Sequence, residues 1–183
     1  MGDRSEKKNV KPEYLAKFIP ERYYGKYSVW LDCASGDGYM VADYFFGSRT
    51  RKGIREGNYV AVDIDPTKLQ RLKDEGRKVI CIDLEKESIK NHISKVSVIL
   101  SIETLEHLTY ETAKRVMDDF ISVLAPGGML IVSFPRVVRL SETNTIDKHQ
   151  PNVDELSEYV KYFGSLYKEE WRKSWLLVFK DKK

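Results

Sequence analysis

The stretch LDCASGDGYM, residues 31–40, decides how this chain folds. An apolar run, YSVWLDC (27–33), ends in an acid and then meets two glycines one residue apart, Gly36 and Gly38. A glycine turn directly after an apolar strand lets the backbone approach a nucleotide-like ligand. The dinucleotide pattern GxGxxG would need a third glycine, and Val41 stands in its place. The turn holds no basic residue and is crowded by Asp32 and Asp37. It therefore suits a ligand end that is cationic or zwitterionic and disfavours one carrying phosphates.

Outward from this turn, strand and helix signals alternate. YMVADYFF (39–46) reads as a helix with an aromatic face, and YVAVDID (59–65) as the second strand. Pro66 opens the helix PTKLQRLKDEG, and Gly76 ends it. KVICIDL (78–84) is the third strand, and a short helix near 86–93 leads to the fourth, KVSVILSI (95–102). In the helix TYETAKRVMDDFISVL (109–124), Thr109 is the expected N-cap, with Val116, Phe120, Val123 and Leu124 on the core face. APGG (125–128) turns into the fifth strand, MLIVSF. A loop to Pro151 and a helix, NVDELSEYVKYF (152–163), precede two closing strands, SLYKEEWRK and SWLLVFK. Ahead of the first strand, Pro12 opens an amphipathic helix over 12–24, which Pro20 limits or kinks.

Unbroken apolar strands such as VSVILSI belong in a parallel sheet covered on both faces. The last two strands have no helix between them and should pair as an antiparallel hairpin. The expected architecture is α/β: a doubly wound, mostly parallel seven-stranded sheet with a C-terminal antiparallel strand pair. It forms one domain over 12–183, after a flexible polar tail at 1–11.

Composition narrows the class. Hydrophobic residues make up 42% of the 183 and charged residues 32%, the balance of a soluble globular protein. No apolar run approaches a membrane span, and MGDRSEKKNV is too polar for a signal peptide, so a cytoplasmic location is expected. The net charge of +3 names no partner. Cys33 and Cys81 fall at the ends of the first and third strands. With another strand between them they would lie about 9–10 Å apart. A disulfide needs Cα atoms within about 7 Å, so free thiols are expected. GxSxG, GxxxxGK[ST] and HExxH are all missing from the sequence.

In an open α/β sheet, ligands sit beyond the carboxyl ends of the strands. Three successive strands end at Asp32, Asp63 and Asp83, and the fourth ends in Ser101 to His107. With these residues in view, LDCASGDG resembles motif I of the class I S-adenosylmethionine (AdoMet)-dependent methyltransferases. AVDID, ICIDL, ILSIETLEHL and LAPGGMLIVSFP are similar to the later motifs of that family in order, over roughly residues 28–163. The resemblance implies AdoMet as cofactor. By position, Gly36 and Gly38 would let the backbone approach its methionine portion, near whose ammonium Asp32 would stand. Asp63 would take the ribose hydroxyls, with Ile64 against the adenine ring. Asp83 would take the adenine amino group beside Leu84, and Ser101 completes the expected cofactor set. Ala34 replaces the family's first glycine, a change tolerated if that residue keeps φ below zero.

The loop after the fourth strand is where this family usually places acceptor chemistry. SIETLEHL differs from the [DN]PP[YF] of amine-methylating DNA enzymes. Its Glu103, Glu106 and His107 share one side if the segment is helical. With His149 further on, the ExxEH run resembles metal-assisted O-methyltransferases. That implies a site for Mg²⁺, Mn²⁺ or Co²⁺ that would lower the pKa of an attacking hydroxyl. In family members that bind no metal, the same run braces the following helix. His107, His149 and Glu106 are then the candidates for acid–base work.

Arg49, Arg51, Lys52 and Arg55 make a basic loop, with Lys7, Lys8 and Lys11 in the tail. Such a run reads as a solvated surface, or as a phosphate-contacting patch for RNA. No insertion large enough to form a lid is present, which suits a macromolecular acceptor or a partner subunit, including a second copy. The reading is AdoMet-dependent transfer to a hydroxyl oxygen of a small metabolite or an RNA ribose. The alternatives are a non-catalytic AdoMet-binding partner subunit and an N-methyltransferase acting on a small molecule or protein.

Overall fold

Strands that are apolar along their whole length must be covered on both faces, and the sheet order meets that demand. A computed structural model describes residues 10–47, 58–137, 148–171 and 173–180. The basic positions Arg49, Arg51, Lys52 and Arg55, and Lys7 and Lys8 of the tail, lie outside the described residues. Seven strands form one sheet: β1 (Val29–Cys33), β2 (Asn58–Asp63), β3 (Lys78–Cys81), β4 (Val96–Ile102), β5 (Leu124–Pro135), β6 (Ser165–Trp171) and β7 (Ser174–Lys180). Their order is β3-β2-β1-β4-β5-β7-β6. β3 to β5 pair in parallel, and β7 runs antiparallel to both of its neighbours, β5 and β6. This is the Rossmann-like sheet expected from the sequence.

Side-chain alternation sorts the core into two layers. On one face Trp30, Tyr59, Ala61, Val98 and Leu100 meet the N-terminal segment, the aromatic turn at 42–46 and Leu69 and Leu72 of α2 (Pro66–Asp74). On the other, Leu31, Val60, Val62, Ile99 and Leu130 meet Val116, Met117 and Phe120 of α3 (Tyr110–Val123). β2 separates β1 from β3, so Cys33 and Cys81 are free thiols, Cys33 buried and Cys81 exposed.

Several helices are shorter than expected. The 12–24 segment is α-helical only over α1 (Pro12–Leu15) and re-forms as a 3₁₀ turn at Glu21–Tyr24. Pro20 lacks an amide hydrogen and pushes the residue before it toward an extended backbone. The 39–46 helix is a five-residue π turn, Ala42–Phe46, whose Phe45 and Phe46 rings pack 5.1 and 5.3 Å from that of Trp30. The 152–163 helix is α-helical over Val153–Ser157 and tightens to 3₁₀ over Glu158–Tyr162. The APGG run does not end before the fifth strand but bulges within β5: Val96 pairs with Leu124, and Val98 with Met129.

Thr109 caps α3 as its sequence predicts, accepting from the Thr112 amide at 3.3 Å. Glu85, from the turn after β3, adds a second cap. Its carboxylate accepts from the Thr109 amide at 2.8 Å, the Thr112 hydroxyl at 2.7 Å and the Lys148 ammonium at 2.9 Å. Burial alone would raise its pKa, but the bonds from Thr112, Lys148 and Thr109 outweigh it and hold the group down at about 2.

Because the folded pKa lies below the ordinary 4.5, this stability is present above pH 4.5 and is lost as pH falls toward 2. Glu85→Gln should therefore cost about 1–2 kcal/mol at pH 7, discounted for partial solvent screening. The difference from wild type should shrink through the pH 4.5–2 window in urea titrations. A difference independent of pH would contradict this account.

Candidate active site

The turn after β1 is stitched to β2 by backbone and carboxylate. The Ser35 amide donates to the Val62 carbonyl at 2.9 Å, and the Gly36 amide donates to Asp63 Oδ2 at 2.8 Å. Asp63 Oδ1 accepts from the Asp65 amide at 3.0 Å. Two fixed donors hold this nearly buried carboxylate at the carboxyl edge of the sheet. Gly36 has φ +58°, and a Cβ built there would meet nothing within 4 Å. The turn thus opens onto free space just where a ligand would lie against bare backbone. Gly38, at φ +76°, answers a different need: a Cβ would sit 2.7 Å from Leu72 Cδ2 inside the closed core.

Ala34 departs from expectation. Its φ is +57°, so the family's missing glycine has not been accommodated by a change of backbone. The turn keeps the left-handed conformation, and the alanine bears the strain. Arg71 of α2 helps to hold it. Its guanidinium donates to the Asp37 carbonyl, through Nε at 3.1 Å and through Nη2, while Nη1 bonds Asp43 at 2.8 Å and Glu75 at 3.1 Å.

The other expected cofactor residues divide into two groups. Ile64 stands 61% exposed beside Asp63, an apolar surface facing out from the sheet edge. Asp32 lies buried beneath the turn and accepts from the Tyr59 hydroxyl at 2.7 Å. Asp83 lies past the end of β3, in a turn. Lys86 at 2.9 Å and the Glu85 amide at 2.9 Å hold its carboxyl below the usual range. Two of the expected residues lie enclosed. Ser101 is fully closed from solvent, in register between Cys33 and Val132. Leu84 faces the α3-side core rather than the open edge.

The expected metal set does not assemble. Glu103 has φ +53° and the only helical turn is the 3₁₀ segment Leu105–His107, so Glu103, Glu106 and His107 do not share a helix face. Glu103 Oε1 accepts from Ser133 at 3.3 Å. Glu106 is buried, with its Oε1 4.0 Å from His107 Nε2, and its carbonyl takes the amide of Lys148 at 2.7 Å. His149 Nδ1 lies 2.7 Å from the Leu108 carbonyl. Among the described residues no three His, Cys, Asp or Glu side chains converge to hold a metal ion, so these residues do not fit the expected divalent cation.

A cleft of about 190 Å³ runs between α3 and the 153–162 segment, lined by Leu105, Tyr110, Lys114, His149, Glu155 and Tyr159 among others. It lies beside the β4 loop rather than over the glycine turn. Thr104 links the two regions, its hydroxyl donating to the Cys33 carbonyl at 3.3 Å.

A family model described as a methyltransferase domain matches residues 31–130, more than half of the chain and all the elements that build this turn. The chain belongs to the methyltransferase domain family. Its fold is shared with solved AdoMet-dependent enzymes. A methyltransferase from Archaeoglobus fulgidus superposes with a TM-score of 0.68 at 14% identity, covering 96% of this chain and 97% of that one. The 1,6-didemethyltoxoflavin-N1-methyltransferase of Burkholderia thailandensis, solved with its acceptor and S-adenosylhomocysteine, gives 0.63 at 14%, covering 94% and 79%. An O-methyltransferase family protein from the same organism gives 0.61 at 13%, covering 84% of this chain. This methyltransferase domain spans only about half of that protein's length, 51%. A search of curated protein sequences finds no match.

Tyr59, Arg71 and Thr104 escape the motif reading because their partners lie on other elements of the fold. Alternation offers one signal: Tyr59, Ala61 and Asp63 share a parity, and register places Asp32 opposite Ala61. The two strained positions generate opposed expectations for this methyltransferase domain. Ala34→Gly should stabilise by about 0.5–1 kcal/mol, the relief of left-handed strain less the added entropy of the unfolded chain. Gly38→Ala should destabilise by about 2–3 kcal/mol. Urea midpoints check both signs.

Proposed function

We propose that this domain is an AdoMet-dependent O-methyltransferase acting on a small hydroxylated molecule, with His149 as general base. The observation that carries the cofactor reading is the Gly36–Asp63 bond beside open space and the exposed Ile64. A carboxylate held by two amides keeps lone pairs for a diol, and an exposed apolar side chain beside it suits a flat base. No basic group stands in the turn to meet a phosphate. When bound, AdoMet supplies a sulfonium methyl group to a nucleophile. Asp63 would hold the ribose, Ile64 the adenine, and Asp32 would face the ammonium end. Asp83 is a weaker candidate for the adenine amino group, since Lys86 already engages it.

On the acceptor side, a carbonyl can only accept, so His149 Nδ1 carries the proton toward Leu108. In the neutral ring Nε2 then holds the lone pair, and His149 lines the cleft. A base fixed in this tautomer suits removal of a hydroxyl proton as the methyl is transferred. The size of the cleft favours a small acceptor over an RNA ribose. The relatives' names include both oxygen and nitrogen transfer. The fixed histidine favours oxygen, because a neutral amine attacks without prior deprotonation.

Calorimetry should show binding of S-adenosylhomocysteine that Asp63→Ala weakens about a hundredfold, the loss of charge-assisted hydrogen bonds. Radiolabelled methyl from AdoMet, offered to pooled small metabolites, RNA and protein, should enter the small-molecule fraction. His149→Gln should cut that transfer about 10²–10⁴-fold with cofactor affinity within twofold. Label in RNA or protein would sink the small-acceptor reading. Cofactor binding without transfer to any fraction would favour the non-catalytic subunit.

A further inference from the structure

Asp32 is a buried carboxylate under the glycine turn, and what holds it is a side chain from the neighbouring strand. Tyr59 lies two residues before Ala61, the register partner of Asp32, and its hydroxyl reaches along the sheet to Asp32 Oδ2 at 2.7 Å. Tyr59 is itself buried at 3% exposure, so this bond forms away from bulk water. Its ring is held in a cluster with Phe46 and Arg77, which also touch each other. Phe46 packs at 5.2 Å between centroids, and the Arg77 guanidinium stands 5.7 Å from the ring centre. Arg77 is anchored in turn, donating to the Phe46 carbonyl at 2.9 Å and to Glu75 at 3.3 Å.

We propose that Tyr59 is a positioning residue for the cofactor's amino-acid end: by binding one oxygen of Asp32 it fixes the carboxylate's rotation without bringing a positive charge of its own. The inference rests on the cofactor reading above. A phenol suits the task because it donates a hydrogen bond without bringing a charge. A lysine in its place would neutralise Asp32 and remove the attraction for an ammonium group. Burial and the adjacent Asp32 charge push the phenol's pKa upward, so Tyr59 remains a donor across the physiological range. The carboxylate is thereby set before the ligand arrives, and its ordering entropy is not drawn from binding.

The test compares two ligands that differ only at this end. S-adenosylhomocysteine carries the amino-acid group, whereas 5′-methylthioadenosine keeps the adenosine and thioether without it. Tyr59→Phe removes one oxygen and retains the ring. It should weaken S-adenosylhomocysteine about five- to tenfold by calorimetry while leaving methylthioadenosine within twofold. Asp32→Asn should produce the same selective loss, and adding Tyr59→Phe to it should cost little more, since the two act as one unit. Equal weakening of both ligands, no weakening of either, or fully additive effects would each overturn the inference. Should Tyr59→Phe unfold, Arg77→Leu provides a second variant, with the same ligand selectivity expected as Phe46 and Tyr59 loosen. Wild-type protein that binds neither nucleoside would overturn the cofactor reading itself. Wild type that binds both, with an unchanged affinity ratio in the variants, would overturn the role of Tyr59 alone.

Discussion

One amide–carboxylate bond, from Gly36 to Asp63, determines what the carboxyl edge of this sheet can do. It ties the turn that leaves β1 to the last residue of β2, next to the switch between β1 and β4 where the winding changes direction. The turn can make this bond only with its backbone folded into left-handed angles at Ala34, Gly36 and Gly38. The parallel pairing of β1 with β2 brings donor and acceptor within reach, and the apolar layers on each face hold that pairing. Fold and site are therefore not separable here: the core fixes the register, the register fixes the turn, and the turn leaves bare backbone at Gly36 facing open space.

Much of this was legible in the residues, for reasons that are local. Thr109 caps its helix because a hydroxyl at that position satisfies a free amide, whatever surrounds it. Apolar strands such as VSVILSI are long enough that only a doubly covered sheet can bury them. The acids Asp32 and Asp63 stand near strand ends, at the carboxyl edge of the sheet where ligands of such folds bind. The hairpin of β6 and β7 follows from the missing helix between them.

What could not be read depends on geometry that residue types do not encode. Alanine is tolerated at position 34 without strain only at negative φ, yet the residue sits at +57° in the turn that Ser35 and Gly36 stitch to β2. Glu103, Glu106 and His107 have helical spacing, but left-handed backbone at Glu103 and a single 3₁₀ turn scatter them. Ser101 has the polarity of a ligand contact and the parity of a core residue, and parity prevails. Tyr59 lies outside the motifs altogether, because its partnership with Asp32 exists only through the pairing of two strands.

The two cysteines acquire unequal chemistry from the same sheet. Cys33, in the central strand, is enclosed, and burial with Asp32 and Asp63 nearby drives its thiol well above the usual range. It stays in the unreactive neutral form. Cys81, on an outer strand, is exposed, with its sulfur 3.6 Å from the Ile64 carbonyl. An alkylating dye will therefore discriminate between them without mutagenesis. It lands on a single position beside the Ile64 carbonyl, so the native chain already carries one addressable thiol at this edge of the sheet.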